Sequence, residues 1–320
     1  MRLRKILRLR VLVLVSLAVA TFVTSFMTGP VAGAPPPHAS SILIADTGKK
    51  LLQYDFESGE ITEFADLGDP FWDIRYTSPT EIGVIFPVSG ADPRSTFSLY
   101  NLRTDELTHV VDVWGAIVGF TFDPRRGGTV YFGEGTESSG QILSYAMKSG
   151  SLEVLTVLPG SAGSPDGIVT DRRGRVVFTA GNAIYRLSPR TGDVEQIVTI
   201  PSGGLNGLVV EPAGTYVVTD IGRRGVHRVD PDSGSFDTLF EDPPFQAPED
   251  VAIDFGGDIY VVDSDFIRHY APDGGPWQSS IYVLRGGSEP LEWLVDCPKE
   301  DFECDTVDIL LTPFNGPMDR

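Results

Sequence analysis

The sequence predicts an all-β fold, a six-bladed β-propeller closed by pairing of its N- and C-terminal strands. A hairpin-turn signature recurs six times along the chain. Val, Ile, Tyr, Thr and Phe dominate the segments between the turns, and each end of the chain carries part of one repeat unit.

The turn signature runs Tyr54 to Gly59 (YDFESG), Tyr100 to Asp105 (YNLRTD), Tyr145 to Gly150 (YAMKSG), Leu187 to Gly192 (LSPRTG), Val229 to Gly234 (VDPDSG) and, shortened, Tyr270 to Gly274 (YAPDG). Its last residues are 46, 45, 42, 42 and 40 positions apart, a period that belongs to propeller blades. A solenoid of helical pairs shares the period but not the residues, because Gly, Pro, Asp and Ser break every apolar stretch. A second signature precedes the later turns: Asp171 to Phe178 (DRRGRVVF), Glu211 to Val218 (EPAGTYVV), Asp254 to Val261 (DFGGDIYV) and, more loosely, Asp123 to Phe132. It reads as a strand, a tight Gly turn and a second strand, so each unit supplies four strands. Ser41 to Ala45 reads as the second strand of a unit, and Thr306 to Thr312 as a first strand without its sequel. Pairing the two ends completes one blade and removes two open edges. Residues 35–320 shared among six units give about 48 each, with an insertion around Gly274 to Ser280 in the sixth.

Ahead of the propeller, expected over 41–320, Arg2, Arg4, Lys5, Arg8 and Arg10 precede an apolar run from Val11 to Met27 and the small residues Ala32-Gly33-Ala34. This pattern predicts a signal peptide over 1–34, cleaved after Ala34, and a flexible stretch over 35–40. The protein is then secreted or extracytoplasmic. An uncleaved segment would instead anchor it to a membrane.

The formal net charge is −19, and the leader's basic residues make the remainder more acidic still. A nucleic-acid partner is excluded on these grounds, because phosphate repulsion opposes counterion release. A field of this sign concentrates cations, and it also serves solubility. The two cysteines, Cys297 and Cys304, have no C-x-x-C spacing and no histidine beside them, so a disulfide is expected rather than zinc.

In a propeller the first strand of each blade lines the central channel. Counting five residues back from the ends of these strands gives a ring of Trp72, Val118, Asp166, Asn206, Glu249 and Val307. Three consecutive blades thus present oxygen-bearing side chains, Asp166, Asn206 and Glu249. Such a set suits a divalent cation, Ca²⁺ or Mg²⁺, completed by water. Asp73 and Asp250, one residue further along, are candidate catalytic bases, and Trp72 is a candidate ligand-binding surface. Asp-Gly and Asn-Gly are also ordinary turn dipeptides, so polar residues facing a wet channel are the competing reading. His227 and His269 fall in third strands. No Gly-x-Ser-x-Gly, His-Glu-x-x-His or phosphate-binding loop is present.

At Ser164-Pro165-Asp166-Gly167-Ile168-Val169-Thr170-Asp171 and Leu205-Asn206-Gly207-Leu208-Val209-Val210-Glu211-Pro212 the chain resembles the gluconolactonase and regucalcin-like propellers, and also the streptogramin-lyase and NHL-repeat propellers. The lactonase-like resemblance implies a cation that polarises a lactone carbonyl and activates water. Asn206 matches a family Asn, Glu249 stands where an Asp ligand would be, and Asp166 stands where another Asn would be. A fourth ligand, a Glu, is replaced by Val307. The sequence therefore leaves two functions open: a metal-dependent hydrolase or lyase acting on a small cyclic ester, and a non-catalytic propeller that binds a small-molecule or cell-surface ligand. A monomer is expected in either case.

Overall fold

The computed structural model describes residues 40–46, 49–87, 94–126, 128–135, 140–160, 162–201, 203–264, 279–287, 291–296 and 306–311. The expected leader, most of the stretch after it, His269, Cys297 and Cys304 lie outside the described residues. All described elements belong to the compact unit Pro37–Arg320.

They form six four-stranded antiparallel sheets. Blade 2 is β4 (Asp73–Ser78), β5 (Glu81–Phe86), β6 (Arg94–Asn101) and β7 (Glu106–Trp114). Blade 3 is β8 (Ala116–Asp123), β9 (Thr129–Gly135), β10 (Gly140–Ala146) and β11 (Ser151–Val157). Blade 4 is β12 (Pro165–Thr170), β13 (Val176–Ala180), β14 (Ala183–Leu187) and β15 (Val194–Thr199). Blade 5 is β16 (Leu205–Val210), β17 (Tyr216–Asp220), β18 (Gly225–Val229) and β19 (Phe236–Glu241). Blade 6 is β20 (Pro248–Ile253), β21 (Ile259–Asp263), β22 (Ser280–Leu284) and β23 (Leu291–Asp296). Blade 1 joins β1 (Ser41–Asp46), β2 (Lys50–Asp55) and β3 (Ile61–Asp66) to the C-terminal β24 (Thr306–Leu311), in the order β24-β1-β2-β3. The register Ile42↔Leu311, Ile44↔Ile309 is the closure the sequence predicts. The first strands β4, β8, β12, β16, β20 and β24 each touch the next around a closed ring. The fold is a six-bladed β-propeller.

The turn signature works as its residues dictate. Asp55 Oδ1 accepts from the Glu57 and Ser58 amides at 3.0 and 2.7 Å. Asn101 Oδ1 does the same for Arg103 and Thr104 at 2.9 and 3.1 Å. The final residue of the five described copies lies in the left-handed region, at φ 73° for Gly59, 55° for Asp105, 70° for Gly150, 77° for Gly192 and 70° for Gly234. This conformation explains the glycine, and the one aspartate that stands in for it.

The core lies between blades. Each of six apolar clusters draws on two neighbouring sheets: Phe97, Phe120 and Phe132 between blades 2 and 3, for example, or Val217, Phe245, Val261 and Leu284 between blades 5 and 6. The second strands β13, β17 and β21 are buried throughout, whereas the outer β11 is mostly exposed. Burying one such aliphatic or aromatic side chain stabilises by roughly 1.5–3 kcal/mol, so blade-to-blade packing sets the rigidity of the channel.

Candidate functional site at the channel mouth

Asp166, Asn206 and Glu249 each occupy the second position of a first strand, in β12, β16 and β20. The ladder is interrupted at the same register in all three blades, between Pro165 and Ile168, Leu205 and Leu208, and Pro248 and Val251. The same break brackets Val118 in β8 and falls at residue 307 in β24. A bulge of this kind re-aims a side chain away from the regular pleat. Five of the six expected ring positions therefore sit at one structural irregularity repeated by the blades. The sixth, Trp72, precedes β4. It is half-buried against the Phe97 and Phe120 cluster, and its indole N–H donates to the Ile117 carbonyl at 3.0 Å.

One residue on, the ring reads Asp73, Gly119, Gly167, Gly207, Asp250 and Asp308. The glycines are there because the strands nearly touch. A Cβ on Gly167 would lie 2.3 Å from the Asn206 carbonyl oxygen, and one on Gly119 would lie 2.6 Å from the Asp166 carbonyl oxygen. Asp73 and Asp250 flank blade 1. Arg75, two residues along β4 and so on the same face as Asp73, reaches both, at 3.3 Å to Asp73 Oδ1 and 3.6 Å to Asp250 Oδ1. The second oxygens tie strands together: Asp73 Oδ2 accepts from the Phe120 amide at 2.7 Å and Asp250 Oδ2 from the Ile309 amide at 3.3 Å. Both expected bases are buried and have both oxygens engaged.

Asn206 and Glu249 meet directly, the Asn206 amide nitrogen donating to Glu249 Oε2, while Ser264 Oγ donates to Oε1 at 3.0 Å. Burial, followed by the charges of Glu249 and Asp250, pushes the Asp166 carboxyl up to about 7. Burial also pushes Glu249 up to about 7, against the hydrogen bonds from Ser264 and Asn206 and with help from the charges of Asp250 and Asp263. Two carboxyl groups at the mouth thus hold their protons near neutral pH, chiefly because burial disfavours their charged forms and secondarily because other carboxylates stand close by.

The loops that enter the mouth are held by acids at the ends of second strands. Asp220 Oδ1 accepts from the Gly204 amide at 2.8 Å and the Arg223 amide at 3.0 Å. Asp263 does the same for Gln246 and Ala247, at 2.9 and 2.8 Å from its Oδ1. His227 is fully buried, with Nε2 3.3 Å from Asp220 Oδ2 and Nδ1 3.1 Å from Thr238 Oγ1. It braces Asp220 and does not face the channel mouth residues. Sequence reasoning passed over Arg75 and these loop-holding acids. The repeated Thr-Asp and Val-Asp endings of β17 and β21 are a signal that reveals the latter.

The donor set fits a hard cation in kind, with two carboxyls and an amide. Among the described residues, no group of three or more His, Cys, Asp or Glu side chains is arranged to hold a metal. Asn206 must also turn its amide over to offer oxygen in place of nitrogen.

No known protein family matches the sequence, and neither does any curated protein. Among solved structures, the chain is similar to one in a nidogen/laminin complex, with a TM-score of 0.65 and 17% identity over 84% of this chain and 97% of the other. It is also similar to TolB from Acinetobacter baumannii, with a TM-score of 0.60 and 12% identity over 84% of this chain and 65% of that one. These likenesses show the propeller fold. No described helix is long and apolar enough to cross a membrane.

Proposed function

We propose that this protein is an extracytoplasmic ligand-binding propeller that holds a divalent cation, Ca²⁺ or Mg²⁺, between Asp166, Asn206 and Glu249, and meets a small-molecule or cell-surface ligand at that mouth. The ladder break shared by blades 4, 5 and 6, which sets Asp166, Asn206 and Glu249 at one level of the mouth, carries this reading, and a cation there would offset the burial that pushes both carboxyls up to about 7. The basic and apolar N-terminal sequence supports an extracytoplasmic location. A similar fold in a nidogen/laminin complex supports a binding role. In this reading Asp73, Arg75 and Asp250 position the inner strands, and Trp72 forms part of the rim.

Calorimetric titration of Ca²⁺, Mg²⁺, Mn²⁺ and Zn²⁺ into chelator-stripped protein tests it. One-to-one binding is expected, lost on Asn206→Ala and on Glu249→Ala. Absence of binding for all four ions, or binding untouched by both substitutions, overturns the proposal.

A second reading, a lactonase-like hydrolase, is favoured by one observation: carboxyl groups titrating near 7 both give and take protons at neutral pH. The cation would supply Lewis-acid polarisation of a lactone carbonyl, and Asp166 and Glu249 would divide ligation and proton transfer. A lactone and ester screen with metal-replete protein tests this. Turnover that survives Asn206→Ala and Glu249→Ala together refutes it.

A further inference from the structure

At the end of the channel opposite the mouth, a groove of about 250 Å³ opens between blades 4 and 5. Its first wall is the turn between β12 and β13. There Asp171 is consumed by its own turn. Its Oδ1 accepts from the Arg173 and Arg175 amides at 2.8 and 2.9 Å, and its Oδ2 takes the Arg175 guanidinium at 2.6 Å. From behind, Arg125 of blade 3 fixes the same turn by donating to the carbonyls of Asp171 and Arg172 at 2.9 and 2.7 Å. Arg172 and Arg173 are left exposed on the groove wall, with no carboxylate paired to either among the described residues. A rigid turn therefore presents two uncommitted guanidinium groups.

The facing wall is the turn between β16 and β17, and its small residues make the groove. Blade 5 has Ala213 and Gly214 where blade 4 has Arg173 and Gly174, and a Cβ on Gly214 would meet nothing within 4 Å. Tyr216 lies beneath. It is 1% exposed, and its hydroxyl oxygen is buried without a well-formed hydrogen bond although the Arg186 guanidinium approaches it. The outer rim is the β18–β19 hairpin with Asp230 and Asp232. Asp230 accepts from the Asp232 amide at 2.9 Å and from Ser233 Oγ at 2.8 Å, and these bonds hold its carboxyl below the usual range.

The groove is thus dipolar, with free cations on one wall, anions on the rim and a polar group buried in its floor. We infer that it binds a small zwitterion of amino-acid size, with the ligand carboxylate on Arg172 and Arg173 and its ammonium on Asp230 and Asp232. Planar guanidinium pairs match carboxylates bidentately, and the volume suits one residue rather than a folded partner. The inference is independent of the channel mouth.

Calorimetry of the purified full chain with L-leucine, L-lysine and L-glutamate tests it, with acetate and methylammonium as half-ligands. At least one amino acid is expected to bind saturably at one to one, with each half-ligand at least ~10-fold weaker. Arg173→Glu should remove the charge match and Ala213→Trp should fill the groove. Each is expected to weaken binding ~10-fold or more with the melting temperature unchanged, and Asn206→Ala is expected to leave it alone. No saturable binding of any of the three amino acids, or binding indifferent to both groove substitutions in folded protein, overturns the inference.

Discussion

Replacing Gly167 by alanine tests the claim that the inner strands are as close as a backbone permits. The added methyl carbon would lie 2.3 Å from the Asn206 carbonyl oxygen and 2.8 Å from the Leu208 amide nitrogen, both backbone atoms that no rotamer change can move. Restoring an ordinary contact requires β12 and β16 to part by about 1 Å, and overpacking of this kind costs about 1–3 kcal/mol. Alanine also lowers the entropy of the unfolded chain, which offsets about 0.4–1 kcal/mol. A net loss of about 1.3 kcal/mol corresponds to a fall in Tm of roughly 3–5 °C for a domain of this size. Gly133→Ala is the matched comparison. Its nearest atoms, in Pro165, lie at 3.2 Å, so neighbours need give only a few tenths of an ångström and Tm should fall by less than about 2 °C. Thermal and urea melts of the three proteins decide the matter, and cation titration of Gly167→Ala should show weakened binding because Asn206 rides on the displaced strand. A Gly167→Ala protein that melts within about 1 °C of the parent, or a Gly133→Ala protein that suffers equally, refutes the close-approach argument.

Three further outcomes are expected. Asp166 and Glu249 bind protons more tightly folded than unfolded, so their contribution to stability is fully present below about pH 4 and is lost as pH rises through about 7. In chelator, urea stability should therefore fall by roughly 2–3 kcal/mol for each group, about 5 kcal/mol for the pair, between pH 5 and 8, and Glu249→Gln should flatten that slope by about half. Arg125→Ala removes two inter-blade hydrogen bonds and strips a buried Asp123 of its guanidinium at 2.9 Å. It should cost about 1–3 kcal/mol in urea unfolding, while Arg190→Ala, at an exposed turn, stays within about 0.5 kcal/mol. Asp220→Ala leaves the Gly204 and Arg223 amides without their acceptor and His227 without its brace. A loss of about 3 kcal/mol or more is expected, with faster amide exchange at Gly204 read by NMR.

Local chemistry made the fold legible. A left-handed turn every forty-odd residues demands Gly or Asp, and four of the six copies add an Asp, Asn or Ser four positions earlier (Asp55, Asn101, Ser188, Asp230), so most blades announce themselves in six residues. The closure was readable for the same reason, because Ser41 to Ala45 and Thr306 to Thr312 each lacked the strand the other supplied. The channel was half-readable. Counting along each first strand found Asp166, Asn206 and Glu249 because the bulge repeats at fixed register, and Asp-Gly and Asn-Gly mark it. That count could not show Arg75 bridging Asp73 to Asp250, since the three meet across the ring from blades 2 and 6 and nothing in the spacing of residues 73, 75 and 250 records it. The same limit applies to Trp72, whose indole is committed to Ile117 in the next blade, and to the groove between blades 4 and 5. That groove depends on Ala213 and Gly214 being small opposite Arg172 and Arg173.

The closure of blade 1 also sets an order of events. A chain made from its N-terminus produces β1, β2 and β3 first, yet their channel-side neighbour β24 is made last. The blade begun earliest is thus finished latest, and until Thr306–Leu311 is free to move, the Ser41–Asp46 edge stays open to whatever strand reaches it first. Anything that restrains the far end of the chain, whether the ribosome or a fused partner close behind residue 311, holds the whole ring unlatched. Maturation of the mouth is therefore timed by the arrival of the six residues of β24.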